Sequence, residues 1–253
     1  MSTPSFRFKQ FEVWHDKCAM KVGTDGVLLG AWCPCEDVRY QQSDVRSQKS
    51  EVRILDVGTG SGLIALMLAQ RCSEAQIDAI DIDPDAVAQA QDNFARSPWA
   101  DRLHAHLCAL QKISNQKSEV SCKRYDLIVS NPPYFVDSLK NPDQQRQTAR
   151  HTDTLSYADL LSCATELLAD DGTLALILPA EAENAVLALA QTAGLSPTRL
   201  THVYSKPGKP MKRVLVAFKK GTGLSCETTD FFIESETSPR SEEYKELTKD
   251  FYL

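Results

Sequence analysis

Residues 54–62 read Ile-Leu-Asp-Val-Gly-Thr-Gly-Ser-Gly, and the apolar run LIALMLAQ follows over residues 63–70. An apolar strand, a glycine turn and an apolar helix form the opening βα unit of a doubly wound α/β sheet. A second predicted strand, residues 76–81, ends in Asp81, which is a candidate acceptor for ribose hydroxyls. The spacing GxGxG lacks the third glycine of GxGxxG, with which dinucleotide-binding folds close around a pyrophosphate.

The acidic residue before the glycine turn, Asp56, limits which ligands could bind there. Asp56 would repel a phosphate, but it suits a cationic ligand that resembles an amino acid. S-adenosylmethionine carries a ribose, an ammonium and a sulfonium and has no phosphate, so we predict it as the cofactor. The alternatives are an ordinary tight turn for the glycines and a strand-end cap for Asp81.

A second motif follows the strand predicted at residues 125–130. Asn131, Pro132, Pro133 and Tyr134 form a turn in which the two prolines forbid both helix and sheet pairing. The Asn131 side-chain oxygen and the Pro132 carbonyl can each accept one N–H bond from an exocyclic amine, and Tyr134 can stack on the ring. We predict these four residues as the catalytic group; a surface turn without function is the alternative.

The rest of the chain continues the alternation of strands and helices. Strands are predicted at residues 52–57, 76–81, 102–107, 125–130, 173–179, 198–204 and 213–219. Helices are predicted at residues 26–32, 62–71, 84–96, 109–115, 156–169 and 181–193. This order predicts a mostly parallel, seven-stranded sheet with helices on both faces and a C-terminal antiparallel hairpin. Asp56, Asp81 and Asn131 all lie at the carboxyl ends of strands, where such sheets bind ligands.

Composition indicates a cytoplasmic globular protein. Of the 253 residues, 42% are apolar and 25% are charged, which is ordinary for a folded domain. No signal peptide and no apolar run of the ~18 residues needed for a membrane span are present. The pair Cys33 and Cys35 has no second pair at metal-binding spacing, so we expect reduced thiols and no metal site.

Together these motifs resemble the class I amino-methyltransferases of the N6-adenine type. Within that class the chain resembles the bacterial tRNA1(Val) (adenine-37-N6)-methyltransferases over nearly its whole length. The closer likeness lies in residues 8–26, in the run RQTAR at 146–150 and in the ending YKELTKDFYL at 244–253. The resemblance implies a Rossmann-like methyltransferase fold, with an N-terminal segment and lid helix at 1–50 and a methyltransferase domain at 51–253. It also implies methylation of the N6 amine of adenine 37, next to the anticodon of tRNA1(Val).

The cofactor site that follows from the turn and the resemblance extends along the chain. Its predicted residues are Lys21, Thr24, Asp56, Gly58, Thr59, Gly60, Gly62, Asp81, Ile82, Cys108 and Ala109. Many relatives carry an acid just after the third strand, where it meets the cofactor's adenine amine. Here that stretch, residues 106–110, reads HLCAL, so only backbone groups or packing of Cys108 could serve.

A net charge of -6 opposes RNA binding, because cations normally supply the affinity for phosphate. Local clusters of basic residues partly answer this objection. The predicted RNA contacts are Lys9, Arg146, Arg150, Lys206, Lys209, Lys212 and Arg213. Ordinary solvated loops are the alternative for each cluster. The sequence leaves protein partners and oligomeric state open.

Other substrates and a non-enzymatic role also fit the two motifs. The catalytic turn could hold the side-chain amide of a protein glutamine, as in release-factor methylation, or a guanine in ribosomal RNA. Glutamine methyltransferases generally carry a helical domain before the sheet, whereas only about fifty residues precede it here. A cofactor-binding RNA chaperone is the non-enzymatic alternative.

Overall fold

The computed structural model describes residues 4–18, 21–35, 51–113, 123–132 and 155–253. The strands in these residues are β1 (Ser5–Arg7), β2 (Glu12–Trp14), β3 (Arg53–Val57), β4 (Gln76–Asp81), β5 (Leu103–Leu107), β6 (Tyr125–Ser130), β7 (Leu168–Pro179), β8 (Leu195–Tyr204), β9 (Met211–Lys220) and β10 (Glu227–Phe232). The helices are α1 (Thr24–Trp32), α2 (Leu63–Arg71), α3 (Pro84–Ala95), α4 (Leu110–Ile113), α5 (Tyr157–Leu167), α6 (Glu183–Thr192) and α7 (Glu242–Thr248).

The central sheet has the strand order β10-β8-β9-β7-β6-β3-β4-β5. Its strands run parallel except β9, which is antiparallel to both neighbours, β7 and β8. The chain runs outward from β3 through β4 to β5 and then returns to the other side of β3 with β6. The strand order therefore reverses between β3 and β6, which is where sheets of this kind bind ligands.

The predicted α/β architecture and the antiparallel β8–β9 pair are confirmed, and the sheet has one strand more than the seven predicted. The extra strand, β10, pairs in parallel with β8 and covers the hairpin at the edge of the sheet. Most of its side chains are exposed, so its sequence lacks the apolar alternation that would mark a strand. Tertiary contacts hold it: Thr229 hydrogen-bonds to Thr201 at 2.9 Å, and the ring of Phe232 stacks on Tyr204.

Two buried clusters lie on opposite faces of the sheet. One combines α1, α2 and α3 with aromatic residues from the first and last segments of the chain, and the other is formed by α4, α5 and α6. The N–H of Lys9 donates to the carbonyl of Phe251 at 2.8 Å, and Phe8 stacks on Tyr252. The first and last segments therefore pack together over the same face as α1.

The described residues also bear on membranes and metals. None of the helices among them has the length and apolarity needed to cross a bilayer. The same residues include no group of three or more histidine, cysteine or acidic side chains placed to hold a metal ion.

Candidate active site

The glycine turn between β3 and α2 adopts a backbone that other residues rarely adopt. Gly58, Gly60 and Gly62 have φ values of 72°, 56° and 81°, in the left-handed region where a Cβ atom is strained. At Gly62 the space is also closed, because a Cβ there would lie 2.5 Å from the Phe94 ring. The N–H groups of Gly58 and Thr59 donate to the carbonyl of Ile80 at 2.9 and 3.0 Å, which fixes the turn against β4.

Asp81, predicted to bind ribose hydroxyls, also braces this turn. One carboxylate oxygen accepts the N–H of Gly60 at 2.9 Å, and the other accepts the N–H of Asp83 at 3.0 Å. Each carboxylate oxygen can accept a second hydrogen bond. The side chain is partly exposed at the carboxyl end of β4. Its position therefore suits the predicted role, while its bonds to Gly60 and Asp83 agree with the strand-end cap that the sequence analysis gave as the alternative.

Asp56 lies beneath the turn and is fully buried. Burial raises the pKa of this carboxyl to about 7, against the lowering effect of hydrogen bonds from the Thr59 hydroxyl and the Ala65 N–H. The Thr59 hydroxyl donates to Oδ2 at 2.7 Å, whereas Oδ1 has no hydrogen-bond partner among the described residues. A buried carboxylate oxygen without a donor is costly, and the ammonium group of an amino-acid-like ligand would supply one.

A cavity of about 420 Å³ opens where the predicted elements meet. The segment before α1 and its first turn, the glycine turn, and Asn131 with Pro132 all line it. Lys21, Thr24, Gly58, Thr59 and Gly60 are the predicted cofactor residues on its wall. Asp25, Gly26, Ser61, Leu63 and Ile64 also line the cavity and were not predicted as cofactor contacts. These five residues lie close in the sequence to predicted contacts, and this proximity could have identified them.

The catalytic turn begins directly at the cavity. The Ser130 hydroxyl donates to the carbonyl of Val57 at 2.8 Å and ties the end of β6 to the end of β3. Asn131 and Pro132, which follow, line the cavity together with the glycine turn and the segment before α1. Pro133 and Tyr134 lie outside the described residues, as do Arg146 and Arg150. The structure thus brings half of the predicted catalytic group to the glycine turn.

Two exposed apolar side chains, Ile82 and Leu107, lie at the carboxyl edge of the sheet, at the ends of β4 and β5. Ile82, which follows the buried strand β4, is 55% exposed, and Leu107, the last residue of β5, is 60% exposed. Leu107 pairs in register with Asp81, and the Cys108 N–H donates to the Asp81 carbonyl at 2.9 Å. Ala109 is partly buried next to them. Such a surface suits a flat, largely apolar ring, and Leu107 is a residue that the sequence prediction missed.

The predicted RNA contacts fall into two groups. Lys206, Lys209 and Lys212 are exposed, and their side chains make no hydrogen bond or ion pair with other described residues. Lys9 and Arg213, by contrast, have partners within the protein: Lys9 Nζ donates to the Lys249 carbonyl, and Arg213 Nε lies 2.9 Å from Asp25 Oδ2. The loop between β8 and β9 lies at the same sheet edge as the cavity, because β8 runs parallel to β6 and β3.

Comparison with known proteins agrees with this geometry. Residues 43–192 match the family model "Methyltransferase small domain". The chain belongs to this methyltransferase family. Two relatives, from Parabacteroides distasonis and Bacteroides fragilis, are 50% and 48% identical over all of this chain and 99% of their own length. Both are named tRNA1(Val) (adenine(37)-N6)-methyltransferase.

Comparison with solved structures bears only on the fold of this chain. A "predicted O-methyltransferase" from Agrobacterium tumefaciens matches with a TM-score of 0.63 at 16% identity, over 90% of this chain and 96% of that one. A methyltransferase from Streptomyces caelestis matches with a TM-score of 0.51 at 12% identity, over 82% and 96%. Their agreement places the chain in the Rossmann-like methyltransferase fold.

The carboxyl ends of β3, β4 and β5, next to the cavity, carry groups whose chemistry fits S-adenosylmethionine, the cofactor of this methyltransferase. Asp56, Asp81, Ile82 and Leu107 are not among the residues that line the cavity itself. Oδ1 of Asp56, buried beneath the glycine turn, has no hydrogen-bond donor among the described residues, and the carboxylate oxygens of Asp81 keep lone pairs that can accept from hydroxyls. Ile82 and Leu107 offer exposed apolar surface for the adenine.

Proposed function

We propose that this methyltransferase acts on the N6 amine of an adenine in tRNA, at position 37 of tRNA1(Val). The observation that carries the proposal is that Asn131 and Pro132 line the same cavity as the glycine turn. The proposed amine acceptor and the proposed cofactor site would therefore share one cavity. The name that both full-length relatives bear supports the choice of base and of RNA. We also propose a cytoplasmic location, where such a tRNA would be modified.

The catalytic residues act by holding the amine. The Asn131 side-chain oxygen and the Pro132 carbonyl accept its two hydrogens, which turns the nitrogen lone pair into the cavity. Tyr134 stacks on the base once the nucleotide has left its stack. S-adenosylmethionine supplies an electrophilic methyl group when bound. No strong base has to act first, since the amine proton becomes acidic only as the nitrogen gains its new bond, so positioning supplies most of the rate.

The cofactor is held from both sides of the turn. Asp81 accepts from the ribose hydroxyls while it braces Gly60, and Asp56 orients the amino-acid end from below. Lys21 and Thr24 close the cavity from the segment before α1 and from its first turn. Ile82, Cys108 and Ala109 face the adenine, and the polar contact comes from backbone groups of that stretch.

The tRNA lies across the carboxyl edge of the sheet. Lys206, Lys209 and Lys212 contact its phosphates from the loop between β8 and β9, and Arg146 and Arg150 do so from the segment after the catalytic turn. Local charge at the site offsets the net charge of -6, because phosphate contacts depend on cations within a few ångströms.

Methyl transfer to defined RNA tests the proposal. The purified protein, radiolabelled S-adenosylmethionine and unmodified tRNA1(Val) should yield N6-methyladenosine at position 37 on nucleoside analysis. The matched control is the same tRNA with guanosine at that position, which should stay unlabelled. Label in a protein glutamine or in a ribosomal-RNA guanine, with none in tRNA, would replace the proposal by one of those substrates.

A further inference from the structure

Arg213 occupies an unusual place for a residue predicted to contact RNA. It lies in β9 between Pro179 of β7 and Val203 of β8, so its backbone is held on both sides. Its Nε donates to Oδ2 of Asp25 at 2.9 Å, and the two side chains are only 29% and 25% exposed. The guanidinium is thus directed toward α1, whereas the neighbouring Lys212 is exposed.

Asp25 connects this pair to the cofactor. It is the second residue of α1 and lines the cavity together with Thr24 and Gly26. The N-cap residue, Gly23, has no side chain with which to cap the helix. A carboxylate in the first turn is favoured by the helix dipole, and its bond to Arg213 ties that turn to the sheet.

Small movements of this turn would change the cavity, because α1 packs closely on α2. A Cβ at Gly26 would lie 3.0 Å from the side chain of Leu63, and one at Gly30 would lie 2.7 Å from the sulfur of Met67. Leu63 itself lines the cavity. A shift of the first turn of α1 would therefore also displace Leu63, a residue of the cavity wall.

The far end of α1 is anchored separately. Arg71 Nη1 donates to the carbonyls of Gly30 and Cys33 at 3.0 and 2.8 Å, and the Trp32 ring nitrogen donates to Thr201 at 3.0 Å. Loss of the Asp25–Arg213 pair would leave these contacts intact. The helix would stay folded in place while its cavity end became less fixed.

We propose that Arg213 is a positioning residue for the cofactor cavity: through Asp25 it holds the first turn of α1 in the geometry that binds S-adenosylmethionine. The role differs from the phosphate contact that the sequence predicted for Arg213. The proposal depends on the binding of S-adenosylmethionine and on the contacts given above. It does not depend on which substrate the enzyme methylates.

A positioning role of Arg213 and a simple charge effect predict different changes in ligand affinity when Arg213 is removed. Removal of Arg213 takes one positive charge away from the Asp25 carboxylate in the cavity wall, so a pure charge effect would strengthen binding of the sulfonium of S-adenosylmethionine. S-adenosylhomocysteine lacks the transferred methyl group and the sulfonium charge but is otherwise the same molecule, and a pure charge effect would hardly change its binding. Loss of positioning weakens both ligands by the same factor.

Calorimetry of Arg213→Gln with each ligand separates these effects. We expect both affinities to fall by about fivefold to tenfold, the order for loss of one ion pair that is partly withdrawn from solvent. Asp25→Asn should give a similar loss, and the double variant should lose no more than either single variant. Lys219→Gln removes the same charge from the other end of β9 and should leave both affinities unchanged.

Kinetics distinguish positioning from general damage to the fold. In Arg213→Gln the KM for S-adenosylmethionine should rise, while kcat at saturating cofactor stays near that of the parent protein. Should that variant fail to fold, Arg213→Lys takes its place, since it keeps the charge but cannot reproduce the Nε bond. Tighter S-adenosylmethionine binding with unchanged S-adenosylhomocysteine binding, or unchanged affinities for both, would overturn the proposal.

Discussion

The glycine turn of residues 58–62 and the loop of residues 205–210 lie at the same edge of the sheet, yet they are held in different ways. The turn is fixed by two N–H bonds to Ile80, by the Asp81 carboxylate and by a ring packed under Gly62. The loop is exposed, and the side chains of its lysines make no hydrogen bond or ion pair with other described residues. A small ligand needs fixed donors and acceptors, whereas phosphate attraction acts over several ångströms with little directionality. Substitutions on the two sides should therefore have different consequences.

The largest effect should come from Asn131, where the two sides meet. We expect Asn131→Ala to lower kcat by about 10²–10³, the range seen when one positioned polar group of an active site is lost. The affinity for S-adenosylhomocysteine should stay close to that of the parent protein, because the proposed contact of the side chain is with the substrate amine. Single-turnover methyl transfer and calorimetry measure the two quantities; near-normal turnover would refute the amine-holding role.

Substitution of Gly62 should show how strongly the glycine turn depends on its backbone conformation. Gly62→Ala places a Cβ at positive φ and 2.5 Å from Phe94, so the free energy of unfolding should fall by about 3 kcal/mol. Gly194 has a similar φ of 77° with open space around it, and Gly194→Ala should cost only about 1–2 kcal/mol. Urea unfolding compares them, and equal losses would mean that the close approach to Phe94 is relieved by movement of the ring.

The RNA side should respond to charge and leave the cofactor unaffected. Alanine at Lys206, Lys209 and Lys212 should weaken tRNA binding about tenfold at moderate salt and lower the salt-dependence slope by about one unit for each phosphate contact. Cofactor affinity should not change. Lys245→Ala, which removes an exposed lysine beside Glu242 on α7, is the control. An unchanged slope in the triple variant would place the RNA surface elsewhere.

The smallest effect concerns pH and Asp56. Burial raises the pKa of this carboxyl to about 7, so the group is largely neutral in the folded protein at lower pH. Its stabilising contribution is present in acid and is lost as the pH rises toward 7, because the unfolded chain gives up the proton near pH 4. Binding of an ammonium ligand favours the ionised form, so cofactor affinity should rise a few-fold across the same range. Asp56→Asn should remove the pH dependence; an identical profile in that variant would assign the titration to another group.

The cofactor side could be predicted from sequence because its signals are local. Strand, glycine turn and helix are adjacent in the chain, and the apolar pattern of residues 54–70 is strong enough to set their order. In a parallel sheet the carboxyl ends of strands share one edge. Asp56, Asp81 and Asn131 could therefore be placed together without coordinates, and the structure confirms that these strand ends meet.

Other features were decided by tertiary structure alone. β10 is a strand because β8 offers it an open edge and Thr201 and Tyr204 hold it, although its own residues are polar and exposed. The partner of Arg213 lies 188 residues away in the chain. A sequence shows that an arginine carries charge, but only the fold decides whether that charge faces phosphate or a carboxylate. An apolar pattern recurs along a whole helix or strand, so the sequence alone can reveal it. An ion pair forms between two side chains that are distant in the chain, so only the tertiary structure shows which residues are paired.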